Sequence, residues 1–189
     1  LVALTKFAEA SGMQGAVNAL FRGAKINQSE GRAALHTSLR SPESANAPHS
    51  ALVSETLASL REFVDRVHSG EWTGYSGQTI DTVVNLGIGG SDLGPAMVVD
   101  ALADFALNRP RVRFVSNVDP AHLARTLKGL DPATTLFIIA SKTFGTLGTL
   151  ANARAARDWL VAASDEAAVA RHFVAVSANI QAASGFGIE

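Results

Sequence analysis

The apolar positions of the first stretch, Leu1 to Phe21, fall at mostly helical spacings: Leu4, Phe7 and Ala8, then Val17, Leu20 and Phe21, with Gly12 between the two sets. Side chains three or four residues apart share a helix face and a midway glycine weakens the helix, so the pattern predicts two short helices or one broken one. Arg32, His36 and Arg40 recur every fourth residue and form one basic face if that stretch is helical. A structural network joining Arg and His to carboxylates or backbone carbonyls is the favoured reading over an anion contact, and no catalytic role is assigned to them. The turn formers from Ser41 to Pro48 read as a loop or hinge, and an amphipathic pattern beyond them predicts a long helix from about Ala51 to His68.

After the glycine-rich connection Gly70 to Gly77 the texture changes to short apolar runs alternating with helical patterns. The runs Thr82–Leu86, Val112–Val115, Thr135–Ile139 and Phe173–Val176 are rich in β-branched and aromatic residues and bounded by turn formers, as buried parallel strands are. Between them lie helical stretches near Leu93–Leu107, Pro120–Leu127 and Thr149–Ala162, each long enough to cross back over a sheet. The expected fold is α/β, a doubly wound parallel sheet flanked by helices. Residues 1–70 would form a helical lead-in packing on it and residues 71–189 the sheet domain. Such sheets bind ligands beyond the carboxyl ends of their strands, which directs attention to the loops there.

Composition narrows the classes. Within 189 residues, a hydrophobic fraction of 47% and a charged fraction of 17% describe a folded globular chain, and one domain is the expectation for this length. With 16 Lys+Arg against 17 Asp+Glu and no basic cluster interleaved with aromatics, nucleic acid is not expected as a partner. The lack of cysteine removes disulfides, thiol nucleophiles and Cys zinc sites and fits a reducing cytoplasm. No apolar run reaches the roughly 20 residues of a membrane span and no signal-peptide pattern opens the chain, so a soluble protein without a membrane partner is expected. His49, His68, His122 and His172 lie in separate segments without ligand spacing, so no metal site is expected and structural roles are. Trp72 and Trp159 are read as packing residues. Position 1 is Leu, and Phe186-Gly187-Ile188-Glu189 shows no recognisable helix ending, which reads as a fragment.

Two strand-to-helix loops carry chemistry. Asn85-Leu86-Gly87-Ile88-Gly89-Gly90-Ser91-Asp92-Leu93-Gly94-Pro95 leaves the first strand. Glycines let backbone N–H groups approach a ligand closely, and the helix that follows adds roughly half a positive charge. The dinucleotide fingerprint fails, because Asp92 stands where its third glycine belongs. Asp92 is a candidate cap, and its charge makes sugar hydroxyls better neighbours for this loop than a dianion. A tight structural turn explains the same residues without a ligand. The second loop, Ala140-Ser141-Lys142-Thr143-Phe144-Gly145-Thr146, gathers three hydroxyls, an ammonium group and several amides at a helix start. That density points to phosphate, although hydroxyls that merely cap the helix are the alternative. It is not a Walker A loop.

At these loops, and through Phe114-Val115-Ser116-Asn117-Val118-Asp119, the upstream Lys25-Ile26-Asn27-Gln28-Ser29-Glu30-Gly31-Arg32-Ala33-Ala34-Leu35-His36 and the downstream Phe173-Val174-Ala175-Val176-Ser177, the chain closely resembles the glucose-6-phosphate isomerase family. The resemblance implies a sugar-isomerase (SIS) subdomain in a homodimeric enzyme. Such an enzyme interconverts glucose 6-phosphate and fructose 6-phosphate through an enediol, with no cofactor and no metal. It assigns Gly90 and Ser91 to sugar contact and Ser141, Lys142, Thr143, Gly145 and Thr146 to the phosphate. It also implies that the base glutamate, the ring-opening histidine and a late lysine lie beyond Glu189, the histidine in the partner subunit, so that no catalytic residue falls within this chain and the chain alone is inactive. One position departs from the pattern: the family usually has a glutamate, supporting that histidine, where this sequence has Gly148. The departure implies weakened ring opening with phosphate binding retained. A non-catalytic SIS-type sugar-phosphate sensor is the alternative; a nucleotide-binding dehydrogenase is disfavoured by the failed fingerprint.

Overall fold

Four runs dominated by β-branched and aromatic side chains pair as an all-parallel sheet in the computed structural model, which describes residues 2–42, 46–106 and 109–188. Leu1, residues 43–45 of the expected loop, Leu107 at the expected end of a helix, and Glu189 lie outside the described residues. The chain divides into two compact units, Leu1–Phe63 and Val64–Glu189.

In the first unit, α1 (Val2–Ala10) and α2 (Met13–Phe21) are separated at Gly12, whose φ of 72° is the left-handed conformation glycine adopts without a Cβ penalty. The broken-helix pattern is therefore two helices. A four-residue helix, α3 (His36–Leu39), follows, and α4 (Ser50–Ser69) starts in this unit and runs past its boundary. The expected basic helical face does not form: Arg32 sits in an antiparallel bridge with Asn27, and Arg40 caps α3 while its guanidinium donates to the His36 carbonyl. His49 approaches the Gly23 carbonyl at 3.3 Å, a structural role.

The second unit contains β1 (Thr82–Gly87), α5 (Gly90–Ala101), β2 (Arg111–Val115), α6 (Pro120–Leu127), β3 (Thr135–Ala140), α7 (Leu147–Val161), α8 (Val169–His172), β4 (Phe173–Val176) and α9 (Ile180–Phe186). Strand order is β2-β1-β3-β4, with Leu86 of β1 level with Val115 of β2 and Ile139 of β3. The chain steps one way from β1 to β2 and the other way from β2 across to β3 and on to β4. Right-handed crossovers then place α5 on one face and α6 and α7 on the other. Packing agrees, since α5 touches β1 and β2 while α6 and α7 touch each other. The sheet is doubly wound, with its switch point between β1 and β3.

Alternation along each strand sorts the faces. Val84, Leu86, Val115, Phe137, Ile139 and Phe173 form one cluster with Leu123 and Leu127 of α6, Ala153, Ala156 and Leu160 of α7 and Ala183 of α9. Phe137 stacks on Phe173 at 4.8 Å and meets the Trp159 edge at 5.9 Å, so Trp159 is a packing residue as expected. Local chemistry sets the helix ends. Asp119 caps α6 by accepting from the Ala121 N–H, with Pro120 in the first turn. The chain does carry a helix ending near Phe186: Asn179 caps α9 through the Ala182 N–H and Gly187, at φ 103°, closes it. The expectation of none is thereby corrected.

Candidate functional site

The first loop is shaped by three constraints. A Cβ on Gly87 would stand 2.5 Å from the Ser91 carbonyl oxygen, so only glycine lets the start of α5 fold back onto the end of β1. Gly89, at φ 63° and ψ −123°, makes the corner, and its carbonyl accepts from the Asp92 and Leu93 N–H groups. Helical winding therefore begins at Gly90, three residues before the sequence pattern placed it, and stops at Ala101. Asn85, buried in β1, donates from Nδ2 to the Ser91 carbonyl at 3.0 Å. Asp92 is not the cap: Gly89 holds that position, and Asp92 is buried in the first turn with Oδ1 unpartnered among the described residues. Gly90 is exposed and Ser91 half-buried at the mouth of the loop.

The second loop is held from the β4 side. Ser141, 2% exposed, donates its N–H to the Val176 carbonyl at 3.1 Å. The Lys142 carbonyl accepts from the Ala178 N–H at 2.8 Å and from Ser177 Oγ, and the Thr143 carbonyl accepts from Asn179 Nδ2 at 3.1 Å. Phe144, at φ 52°, turns its ring inward against Phe186 and its N–H to the Ser141 carbonyl. The Ser141, Lys142 and Thr143 carbonyls are thus turned into protein. Among the described residues no partner accepts from the amides of Thr143, Gly145 and Thr146, which lie with the first amides of α7. Thr146 occupies the N-cap position but makes no side-chain capping bond; its Oγ1 accepts from Ser141 Oγ at 3.2 Å. Its hydroxyl is therefore not consumed in holding the helix. Lys142, Thr143, Gly145 and Thr146 are exposed.

The two loops are neighbours. Gly87 and Ala140, the last residues of β1 and β3, are level in the sheet. Gly148 in the first turn of α7 lies so close to the first loop that a Cβ there would stand 2.7 Å from Ile88 Cδ1, and 3.5 Å from Val118 Cβ beyond β2. Asn152 of α7 donates to the Asn117 carbonyl at 2.9 Å, tying the third strand-end loop to the same helix. Gly90 and Ser91 on one loop, and Ser141 to Thr146 on the other, thus leave adjacent strand ends at the switch point. The starts of α5 and α7 reach it from opposite faces of the sheet, each with partial positive charge.

Asn85, Ser177 and Asn179 support this arrangement and were not among the residues expected at the site. A polar residue inside the otherwise apolar Thr82–Leu86 run was the one local signal for Asn85. An open apolar groove of about 760 Å³ between α6 and α7, lined by Leu123, Leu127, Leu130 and Trp159, offers none of this chemistry. Among the described residues, no group of three or more His, Asp or Glu side chains is arranged to hold a metal ion, and no helix is long and apolar enough to cross a membrane.

Fold and loops together define a class, the doubly wound α/β proteins with two strand-to-helix loops meeting at the switch point. Within it, a family model described as phosphoglucose isomerase matches residues 1–189. Glucose-6-phosphate isomerase 4 of Rhodococcus jostii is 53% identical over 194 residues, covering 100% of this chain and 35% of that protein. The glucose-6-phosphate isomerase of Mycolicibacterium smegmatis is 54% identical over 190 residues, covering 98% of this chain and 35% of its own length. Among solved structures, a glucose-6-phosphate isomerase from Chlamydia trachomatis superposes with a TM-score of 0.72 at 29% identity, over 93% of this chain and 34% of that one. The chain belongs to the phosphoglucose isomerase family. It spans about a third of the length of these relatives.

Proposed function

We propose that this chain is the phosphosugar-binding part of an enzyme that interconverts glucose 6-phosphate and fructose 6-phosphate. The observation that carries the reading is the second loop: its Ser141, Lys142 and Thr143 carbonyls are bonded inward while the Thr143, Gly145 and Thr146 amides, beside three hydroxyls, meet the start of α7. A phosphate dianion there accepts from loop amides and from the hydroxyls of Ser141, Thr143 and Thr146, and the helix dipole adds attraction. Lys142 supplies the full positive charge. With the phosphate so fixed, the sugar extends across the neighbouring loop, where Gly90 offers its amide and Ser91 its hydroxyl.

Isomerisation moves a proton between C2 and C1 through an enediol, after the ring opens, and needs a carboxylate base and a second acid-base group. Those groups belong to the part of the family's length outside this chain, with one histidine from the second subunit of a cytoplasmic homodimer, and no metal or cofactor takes part. Residues 71–189 form the SIS-type binding subdomain and residues 1–70 its helical lead-in; the chain alone binds without turning over. Gly148 leaves phosphate binding intact and removes a carboxylate that would orient the incoming histidine.

Calorimetric titration with fructose 6-phosphate, beside a coupled isomerase assay, tests this reading. Binding without turnover is the expected result. A Ser141→Ala, Thr143→Ala double variant should weaken binding about 10²-fold, since each charge-assisted bond contributes about 1.5 kcal/mol. No binding by the folded chain, or unchanged affinity in the double variant, refutes the proposed cradle.

A further inference from the structure

We propose that Asn85 is a positioning residue that sets the sugar-facing loop by tying the first turn of α5 to β1. The inference rests on the phosphosugar reading above, and its geometry is independent of it. In a regular helix the Ser91 carbonyl would accept from the N–H of residue 95. Residue 95 is Pro95, inside α5, and has no N–H to give. The orphaned carbonyl is instead served by Asn85 Nδ2 at 3.0 Å, from a side chain only 6% exposed in the middle of the strand. Gly87 completes the device, because any Cβ there would stand 2.5 Å from the same oxygen and push it off the strand.

Three residues of different chemistry thus converge on one oxygen: a donor, an empty space and the removal of the ordinary competitor. An alanine at position 95 would satisfy the Ser91 carbonyl within the helix and leave the helix start free to drift from the strand. The Asn85–Pro95 combination satisfies it across the loop, which fixes the Ser91–Asp92 peptide relative to β1. The direction in which Gly90 presents its amide and Ser91 its hydroxyl follows from that peptide.

The experiment separates holding the loop from merely satisfying a carbonyl. Asn85→Ala and Asn85→Ala with Pro95→Ala are compared with the unchanged chain in thermal unfolding and in calorimetric titration with fructose 6-phosphate and with inorganic phosphate. Asn85→Ala should lower thermal stability and reduce fructose 6-phosphate affinity about tenfold, the scale of one misplaced hydrogen bond, with inorganic phosphate affinity unchanged. The double variant regains a donor at position 95 and should recover stability while the sugar phosphate affinity stays low. Affinity that recovers with stability, or that never falls, overturns the proposal. If the unchanged chain binds neither ligand, the phosphosugar reading fails, and hydrogen exchange of residues 89–93 then decides: exchange faster in the double variant supports the tie, and equal exchange overturns it.

Discussion

His172 has no solvent exposure, and both of its ring nitrogens are engaged: Nδ1 lies 2.6 Å from the Thr135 carbonyl and Nε2 accepts from the Tyr75 N–H at 2.8 Å. That pairing fixes the neutral tautomer with Nδ1 protonated, and a second proton would set N–H against N–H. Burial pushes its pKa below the ordinary 6.5, the bond to Thr135 works the other way, and the nearby Arg171 charge lowers it further. With the folded value depressed, the unfolded chain binds the extra proton first. Stability should be level above about pH 6.5 and fall on acidification, by at most about 1.4 kcal/mol per pH unit, until the folded state is protonated too. Thermal unfolding between pH 7.5 and 5 checks this, and His172→Phe should lose that component of the slope at a cost of about 1–3 kcal/mol for each orphaned partner. Two glycines give opposite expectations. A Cβ on Gly74 would stand 2.1 Å from the backbone oxygen of Ala133, which cannot easily yield, so Gly74→Ala should destabilise by about 1–3 kcal/mol. Gly148→Glu crowds the flexible far end of Ile88 at 2.7 Å, meets Val118 at ordinary contact distance, and should fold normally, as read by circular dichroism.

At the scale of elements, α7 owes its close seat on the sheet to Ala153 and Ala156, both fully buried, with Leu160 beyond them. Enlarging the contact by Ala153→Leu should cost about 1–3 kcal/mol and emptying it by Leu160→Ala about 2–5 kcal/mol, both measurable by urea unfolding. The elements most legible in the sequence were those whose signals are local. β4 and α6 have the expected limits, Phe173–Val176 and Pro120–Leu127, because β-branched runs and an Asp-Pro cap declare themselves within a few residues. α5 begins earlier than its pattern because Gly89 and Gly90 look like loop, yet the Gly89 carbonyl already collects the first helical bonds. α9 is not legible from its pattern because Ser184 and Gly185 dilute the helical signal, although Asn179 and Gly187 bracket it. Within the site, the glycines and hydroxyls were visible as types. The supports from Val176, Ser177 and Asn179 were not, since they arise only when β4 lies beside β3.

At the scale of the whole molecule, several large apolar side chains of the second unit are exposed. On α5, Leu93 and Met97 are more than half exposed and Val98 about half, as is Leu102 just past its end, and Val176 and Ile180 are exposed beside β4, whose one partner in the described sheet is β3. Apolar patches and strand edges of this kind recruit other chains. The 189-residue chain should therefore self-associate, with sedimentation showing a mass that rises with concentration, and Met97→Lys with Leu102→Lys should reduce the association without lowering thermal stability. A clean monomer at high concentration would contradict this. The site itself belongs to the same scale, because its two loops are far apart along the chain and meet only when β1 and β3 are paired. An unfolded chain holds no such cradle, so a ligand taken there acts by mass action on folding. At a hundred times its dissociation constant such a ligand would add about 2.7 kcal/mol to the unfolding free energy, so that under the proposed function the melting temperature of this chain becomes a gauge of the free sugar phosphate around it.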